Sequence, residues 1–490
     1  MSKSAALALA EANERFKREG FCTPIGSSLT AAQSGTALWL NKYGGVTLFG
    51  KAAQTAELSK KLLASVEGTE RLVESAISVP ILEEVASLWF DPNRSTAATD
   101  VAAGYWLASV FFRGLNSHEV GELTEFLRSG SVQKKKNSVK SVRRYPTGGI
   151  SEKQALVLPP LLMSLAKELD WCSPFLVARR LAHTGGTRDK LAVVPGFSVT
   201  DISTYDDWDC FRAPVRYFSA DAGFCQRDAQ MYRIRGETGT VAEMGLMASS
   251  IMAKQTALPA DAVIIDILYG RTAFLSTLEE AKVFGEMCAN IGVSADLKVT
   301  PMLREADNFL GNTVGSSTEI VEAAELLRSG ADSGELATAK RFISQFAEDL
   351  DLDVGKVSHL LEGAIASGEA FNSMLEIWRL HGADTRFLKQ MASDVRGAVL
   401  SGMYREEVRA KSTGKIFWDP VATADIVNQR INSPEGQGFS KGANPQNIVR
   451  GGLEILAPDG ASVSQGEVIA NVYREKPTSA SLFGEAYRVK

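Results

Sequence analysis

Apolar positions recur at spacings of three and four through 54–77 and 99–129, so residues 1–130 are expected to be helical. Gly114 and the stretch Ser117-His118-Glu119 interrupt the second segment, and Ser117 is the expected N-cap of the helix that follows. From 145 onward the period changes. Residues 155–169 are apolar and helix-length, whereas 174–178 and 262–268 are short apolar runs bounded by turns, as expected of strands buried on both faces. A helix over 277–291 and a strand over 295–301 continue a β-α-β alternation. Residues 318–412 return to a mainly helical pattern. The segment 450–474 breaks into short alternating runs around Pro458-Asp459-Gly460 and Gln465-Gly466, which is hairpin chemistry.

The pattern predicts an α/β plus α fold: a helical domain, a mixed α/β sheet domain and a small β-rich C-terminal module. The expected boundaries are an N-terminal helical extension over 1–64, a helical domain over 65–133 joined by 226–258, an α/β domain over 134–225 and 259–405, and the C-terminal module over 406–490. Lys134 to Arg144 places six cations in eleven residues. Two readings are open for it: a solvated linker, or a run whose end, Arg143-Arg144, feeds an anion site.

At 490 residues with 45% apolar positions, the chain is long enough for several domains and a large core. A net charge of −5 argues against a dedicated polyanion binder. Cys22, Cys172, Cys210, Cys225 and Cys288 show no metal or redox spacing and read as free thiols of a cytoplasmic protein. No apolar stretch reaches membrane-span length and none has the form of a signal peptide, so no membrane association is expected.

Two tripeptides, Thr147-Gly148-Gly149 and Thr184-Gly185-Gly186, have basic neighbours. Paired glycines let backbone N–H groups approach an anion, and Ser151-Glu152-Lys153-Gln154 fits a capping box opening the next helix. The alternative is a pair of plain loops. On a later helix Ser250 and Lys254 share a face, with Tyr232 and Arg235 upstream. That set offers an aromatic plane, a forked donor, a hydroxyl and an ammonium to a flat ring bearing carbonyl oxygens. The alternative is an ordinary helix surface.

The run from Arg179-Arg180-Leu181-Ala182-His183-Thr184-Gly185-Gly186-Thr187-Arg188-Asp189-Lys190-Leu191 to Pro195-Gly196-Phe197 resembles the long signature of thymidine and pyrimidine nucleoside phosphorylases. Phe111-Phe112-Arg113-Gly114-Leu115, Tyr145-Pro146-Thr147-Gly148-Gly149, Tyr232 to Lys254 and Gly451-Gly452-Leu453-Glu454-Ile455-Leu456 resemble further segments of that family, in the same order, over residues 65–490. The resemblance implies a homodimer of a helical and an α/β domain with a cleft between them, no cofactor, and cleavage of a pyrimidine nucleoside with phosphate. It implies base recognition by Tyr232, Arg235, Ser250, Lys254 and Leu181, with Arg235, Lys254 and Tyr145 at catalytic positions. It puts Arg144, Thr147, Gly148, Gly149 and Thr187 at the phosphate.

There the chain departs from the family. Lys-His-Ser becomes Arg144-Tyr145-Pro146, and two further serines become Ala155 and Val177, so only Thr187 keeps a phosphate-contacting hydroxyl. Arg271 is a new cation that can compensate. Some family members hold a monovalent metal between backbone carbonyls, a Thr and an acidic side chain. Here Lys153 replaces the Thr and Glu322 falls on the acid, so the expectation is no metal and an ammonium in its place, bonded to Glu322 and the carbonyls of Leu310 and Thr313; the alternative is a Lys153 that points into solvent. The leading functional expectation is a pentosyltransferase acting on a pyrimidine nucleoside or nucleotide, with an altered acceptor site. The alternative is a non-catalytic pyrimidine- or nucleic-acid-binding homologue.

Overall fold

A computed structural model describes residues 37–40, 46–49, parts of 103–113, and 114–128, 139–178, 185–219, 224–428, 450–476 and 480–490. The chain divides into two compact units, one formed by 1–133 and 221–258, the other by 134–220 and 259–490.

In the first unit, β1 (Ala37–Leu40) and β2 (Val46–Phe49) pair antiparallel, where the helical period of 1–130 predicts helix. Gly44-Gly45 lies between the strands, a turn signal that a long helical window averages away. Helix α1 (Ser117–Arg128) follows, capped by Asn116 rather than by Ser117. The Asn116 side chain accepts from the N–H groups of His118 and Glu119, while Glu119 reaches back to the Asn116 N–H at 2.9 Å.

The second unit begins with β3 (Lys140–Pro146), α2 (Gln154–Leu169), β4 (Trp171–Val177), the single turn α3 (Thr187–Leu191) and β5 (Val215–Ser219). The chain then returns to the first unit for α4 (Gln226–Thr238) and α5 (Met244–Ala257), which share an apolar core with α1 through Leu123, Leu127, Met231, Ile234 and Leu246. The second unit resumes with β6 (Ala262–Tyr269), α6 (Leu278–Ser294) and β7 (Lys298–Glu305). β7 sits a few residues beyond the strand expected over 295–301.

These strands form one parallel sheet in the order β5-β4-β3-β6-β7. Its centre, β3, is the segment whose charge run admits reading as a linker. Residues 140–146 are instead strand, because Arg143 and Arg144 are buried and Arg144 is paired, which no hydropathy pattern registers. Residues 134–138 lie outside the described residues. From β3 the chain winds outward to β4 and β5, then crosses to β6 and β7. The reversal point therefore lies between β3 and β6, at whose carboxyl ends α/β sheets place their ligand sites.

A short strand β8 (Thr313–Val314) precedes six helices: α7 (Ser316–Ser329), α8 (Gly334–Asp349), α9 (Val354–Ala366), α10 (Glu369–Leu380), α11 (Thr385–Ser393) and α12 (Val395–Leu400). They enclose α2 in the main core, with Leu161, Phe342, Phe346 and Trp378 buried together. The helical stretch expected to reach 412 ends earlier, at β9 (Tyr404–Arg409). β10 (Gly414–Trp418), α13 (Pro420–Ile426), β11 (Gly451–Ile455), β12 (Ser462–Val463), β13 (Val468–Arg474) and β14 (Tyr487–Val489) complete a β-rich end. There the sheets β8-β11-β13-β9 and β12-β10-β14 share the core residues Trp418, Leu453 and Val472, and Ile150 of the loop after β3 packs into the same cluster.

Candidate functional site

Two polar constellations follow from these elements, one in each unit. In the first unit, α4 and α5 bring Tyr232, Ser250 and Lys254 together. The Lys254 ammonium donates to the Ser250 carbonyl at 3.0 Å and hydroxyl at 3.1 Å, and lies 5.7 Å from the Tyr232 ring centroid. It also pairs with the Asp228 carboxylate, one turn before Tyr232 on α4. Asp228 is missing from the set that sequence reasoning selects, although its spacing of four from Tyr232 puts it on the same helix face. Lys254, Ser250 and Asp228 are all buried, and Tyr232 is half-buried.

Arg235 is buried as well, and its guanidinium is spoken for. It donates to the carbonyls of Thr240, Val241 and Leu246, stitching the turn between α4 and α5. Burial lowers its pKa, against the pull of Asp228 and Glu243. Glu243 caps α5 by accepting from Gly245 and Leu246, and burial raises its pKa.

In the second unit the Thr147-Gly148-Gly149 loop leaves β3 beside the reversal point. The Thr147 N–H donates to the Asp266 carbonyl, and the Leu268 N–H donates to the Thr147 hydroxyl, both at 2.9 Å. Gly148 has φ +98°, a conformation side chains rarely adopt. A Cβ on Gly149 would fall 2.9 Å from the Leu268 side chain. The expected capping box at Ser151 is absent: Ser151 has φ 62°, α2 starts at Gln154, and the Glu152 carboxylate accepts from the Gln154 N–H at 2.7 Å. A glutamate two residues before the helix does the work assigned to a serine, because the positive φ turns Ser151 out of capping geometry.

Arg144, expected at the phosphate, is paired with carboxylates. Its Nε donates to Asp266 at 3.1 Å and its Nη2 to Asp266 and to Glu152, the latter at 2.8 Å. Arg304 of β7 grips the same Asp266 at 2.7 Å through both Nε and Nη2. Both guanidiniums stack on Phe342, at 5.2 and 5.7 Å from its centroid. Burial works to raise Asp266 and Glu152, yet the surrounding cations win and hold both below the usual carboxylate range. Lys190 of α3 joins the network, bonding the Glu152 carbonyl and the Glu319 carboxylate. Only the lone acid in the apolar run 262–268 hinted at this arrangement.

Lys153 is fully buried. Its Nζ lies 3.2 Å from Glu322 and donates to the Leu310 carbonyl. Glu322 also accepts from the Asn312 N–H and the Thr313 hydroxyl. Against the cost of burial, Glu322, Glu335 and Glu319 raise the Lys153 pKa, so the group is an ammonium.

Tyr145 is half-buried at the end of β3. Arg271 is exposed, and donates to the Asp307 carbonyl and the Asn308 side chain at 3.0 and 3.2 Å. Thr187 opens α3 and is half-buried. Leu181 and Thr184 lie outside the described residues. Among the described residues, no group of three or more His, Cys, Asp or Glu is placed to hold a metal ion. No described helix is long and apolar enough to cross a membrane.

No protein-family model matches the chain. It is similar to pyrimidine-nucleoside phosphorylase of Geobacillus stearothermophilus, with 28% identity over 75% of this chain and 83% of that one. Thymidine phosphorylases of Mycoplasma genitalium and Mus musculus are each 28% identical, over 81% and 78% of this chain and 92% and 82% of theirs. Among solved structures, anthranilate phosphoribosyltransferase from Thermus thermophilus aligns over 64% of this chain and 99% of its own, at 14% identity and a TM-score of 0.46.

Proposed function

We propose that this divergent relative of the thymidine and pyrimidine-nucleoside phosphorylases is a pentosyltransferase that cleaves or transfers the glycosidic bond of a pyrimidine nucleoside or nucleotide through an altered acceptor site. The observation that carries the reading is the convergence of Tyr232, Ser250 and Asp228 around the Lys254 ammonium. A pyrimidine presents two ring carbonyls and an N–H between them. The Lys254 ammonium and the Ser250 hydroxyl suit the carbonyl oxygens, and the Tyr232 ring suits the flat face. A fixed ammonium also stabilises the negative charge that grows on the departing base.

The acceptor side supports a departure from free phosphate. Pro146, Ala155 and Val177 stand at three of the four hydroxyl positions, and Arg144 is committed to carboxylates. Each charge-assisted bond so lost is worth about 1.5–3 kcal/mol, so inorganic phosphate is a poor co-substrate. Thr187 and the exposed Arg271 are the groups left to serve a different anion, such as the 5′-phosphate of a nucleotide. Gly148 and Gly149 keep the backbone open to it.

Lys153 stands in for the monovalent cation of some relatives. Its ammonium already fills the place between Glu322 and the Leu310 carbonyl, so these residues do not suit a metal there. The working protein is read as a cytoplasmic homodimer without cofactor.

The test is incubation with uridine, thymidine and their monophosphates, with and without phosphate, followed by detection of free base. Base release from at least one of them supports the proposal; none from any of them overturns it. One observation favours a second reading, a pyrimidine binder without turnover: the Arg235 guanidinium is taken up by three backbone carbonyls. Calorimetric binding of a pyrimidine without base release would select that reading.

A further inference from the structure

Thr187, the remaining candidate anion hydroxyl, stands on an element that cannot place itself. Helix α3 has five residues, far short of the roughly 12–15 at which helical hydrogen bonds begin to hold a segment on their own. Gly186 caps it without a side-chain bond, its carbonyl accepting from the Asp189 and Lys190 N–H groups at 3.1 and 3.2 Å. The orientation of α3 therefore comes from its ties to other elements. On one side the Arg188 N–H donates to the Ala178 carbonyl at 3.2 Å and its Nη1 to the Ser219 hydroxyl at 3.1 Å. These bonds moor the helix to the carboxyl ends of β4 and β5.

On the other side the tie is Lys190. It follows Thr187 by three residues, neighbours it on the same turn and is buried. Its Nζ donates to the Glu152 carbonyl at 2.5 Å and lies 2.6 Å from the Glu319 carboxylate of α7. Its stem runs against its own loop: a Cβ on Gly185 would fall 3.3 Å from Lys190 Cε. One side chain thus meets both glycine segments, since Glu152 follows Gly148-Gly149 and Gly185 belongs to the second tripeptide. Helix α7 is matched to this arrangement. Glu319 and Glu322 are three apart and share a face; the first holds Lys190 of α3, and the second holds Lys153, after the first glycine loop, at 3.2 Å. Glu319 is itself fixed by the Gly315 N–H at 3.0 Å.

We propose that Lys190 is a positioning residue: through Glu152 and Glu319 it locks Thr187 and the second glycine loop to the first, so that both loops meet one anion, the phosphate of a nucleotide, as a single cradle. The proposal rests on the reading of these loops as an anion site. Lys190 does not hold the anion itself, because its buried ammonium is taken by a carbonyl and a carboxylate. Its part is to order the cradle in advance. Without the tie, α3 must be ordered when the anion binds, and that cost is subtracted from the affinity. Base recognition by Tyr232, Ser250 and Lys254 does not draw on the tie, so the loss falls on the phosphate and spares the base.

The test compares uridine with uridine 5′-monophosphate by calorimetry on the full chain. Lys190→Met alone strands the buried Glu319 carboxylate and should lower the urea midpoint. The informative protein is therefore the double variant Lys190→Met/Glu319→Gln, which removes both charges of the pair and should regain stability over the single one. The parent should bind the monophosphate more tightly than the nucleoside. In the double variant uridine affinity should stay within about twofold, while monophosphate affinity falls at least about tenfold, the size of one lost charge-assisted hydrogen bond. A merely structural ion pair predicts instead that the preference returns with stability. A double variant that keeps the parent's preference for the monophosphate overturns the proposal, and so does a parent that binds the two ligands equally. A parent that shows the preference, loses it in the double variant and yet releases no base from either ligand upholds the role of Lys190 and removes the reading of turnover.

Discussion

The two polar constellations hold similar charges to different ends. On α4 and α5, Lys254 faces one carboxylate, a hydroxyl and an aromatic ring. Behind the glycine loop, Arg144 and Arg304 share Asp266 and Glu152 in a closed network, and the Arg144 side chain is 1% exposed. The first surrounds a single ammonium with one carboxylate; the second sets two guanidiniums on shared carboxylates. A cation beside a glycine-rich loop is thus no measure of anion binding; what counts is whether a carboxylate has already claimed it.

The largest effect should come from breaking the closed network. Asp266→Ala leaves Arg144 and Arg304 buried without their shared carboxylate, and removing one partner of such a pair costs roughly 3–5 kcal/mol. Urea unfolding measures it. A loss under about 1 kcal/mol would show the network to be loosely held, and Arg144 would return as a candidate anion ligand.

On the other side, Lys254→Gln and Asp228→Asn each break a buried pair, so they should lower stability as well as weaken the ligand. A lost charge-assisted hydrogen bond of about 1.5–3 kcal/mol corresponds to a roughly 10- to 150-fold weaker uracil or nucleoside affinity by calorimetry. Asp228→Asn should act through Lys254 and be the milder of the two. Unchanged affinity in Lys254→Gln would sink the base-recognition reading while leaving the fold intact.

His381 gives a check that involves neither constellation. Its Nε2 accepts from the Tyr217 N–H at 3.0 Å, its Nδ1 donates to the Ser198 carbonyl, and its ring stacks on Phe197. Burial pushes its pKa down to about 4. The unfolded chain, with a histidine pKa near 6.5, then binds the proton more tightly than the folded one. Stability should therefore be undiminished above about pH 6.5 and fall as pH drops from there toward 4, by up to roughly 3 kcal/mol. His381→Gln should flatten that slope in denaturation measured at several pH values; an unaltered slope would assign the acid sensitivity to the carboxylate network instead.

How much was legible in the sequence divides along the same line. Strands β4 and β6 and the hairpin chemistry of the C-terminal end announce themselves through apolar runs and turn residues. So do Ser250 and Lys254, whose spacing of four puts them on neighbouring turns of α5; Tyr232, on α4, comes to them only through the packing of the two helices. Strand β3 was hidden, because its two arginines look like solvent-facing residues until Asp266 and Glu152 are brought to Arg144 from other elements. Long-range ion pairing has no local period, so a charge run conceals a central strand. Ser151 and Ser117 misled for a related reason: each has the right residue type for a cap, but the backbone gave the task to Glu152 and Asn116.

The smallest predicted effect concerns Lys153, where the closed network meets a single replaceable ion. Its ammonium lies between Glu322 and the Leu310 carbonyl. Around it Gly311 leaves no room: a Cβ there would fall 2.4 Å from Glu322 Oε1 and 2.5 Å from Lys153 Nζ. In Lys153→Thr the shorter side chain removes the charge but supplies a hydroxyl, leaving Glu322 and the carbonyl oxygen as donors of the kind a large monovalent cation takes. The parent protein should melt at the same temperature in potassium and in lithium salts of equal ionic strength. The variant should be less stable than the parent in both, and regain stability in potassium only. At a potassium concentration about tenfold above its dissociation constant, the regained part is about 1.4 kcal/mol. A parent protein that itself requires potassium would remove Lys153 from this role. A variant indifferent to the cation would show that the ammonium serves only as the partner of Glu322.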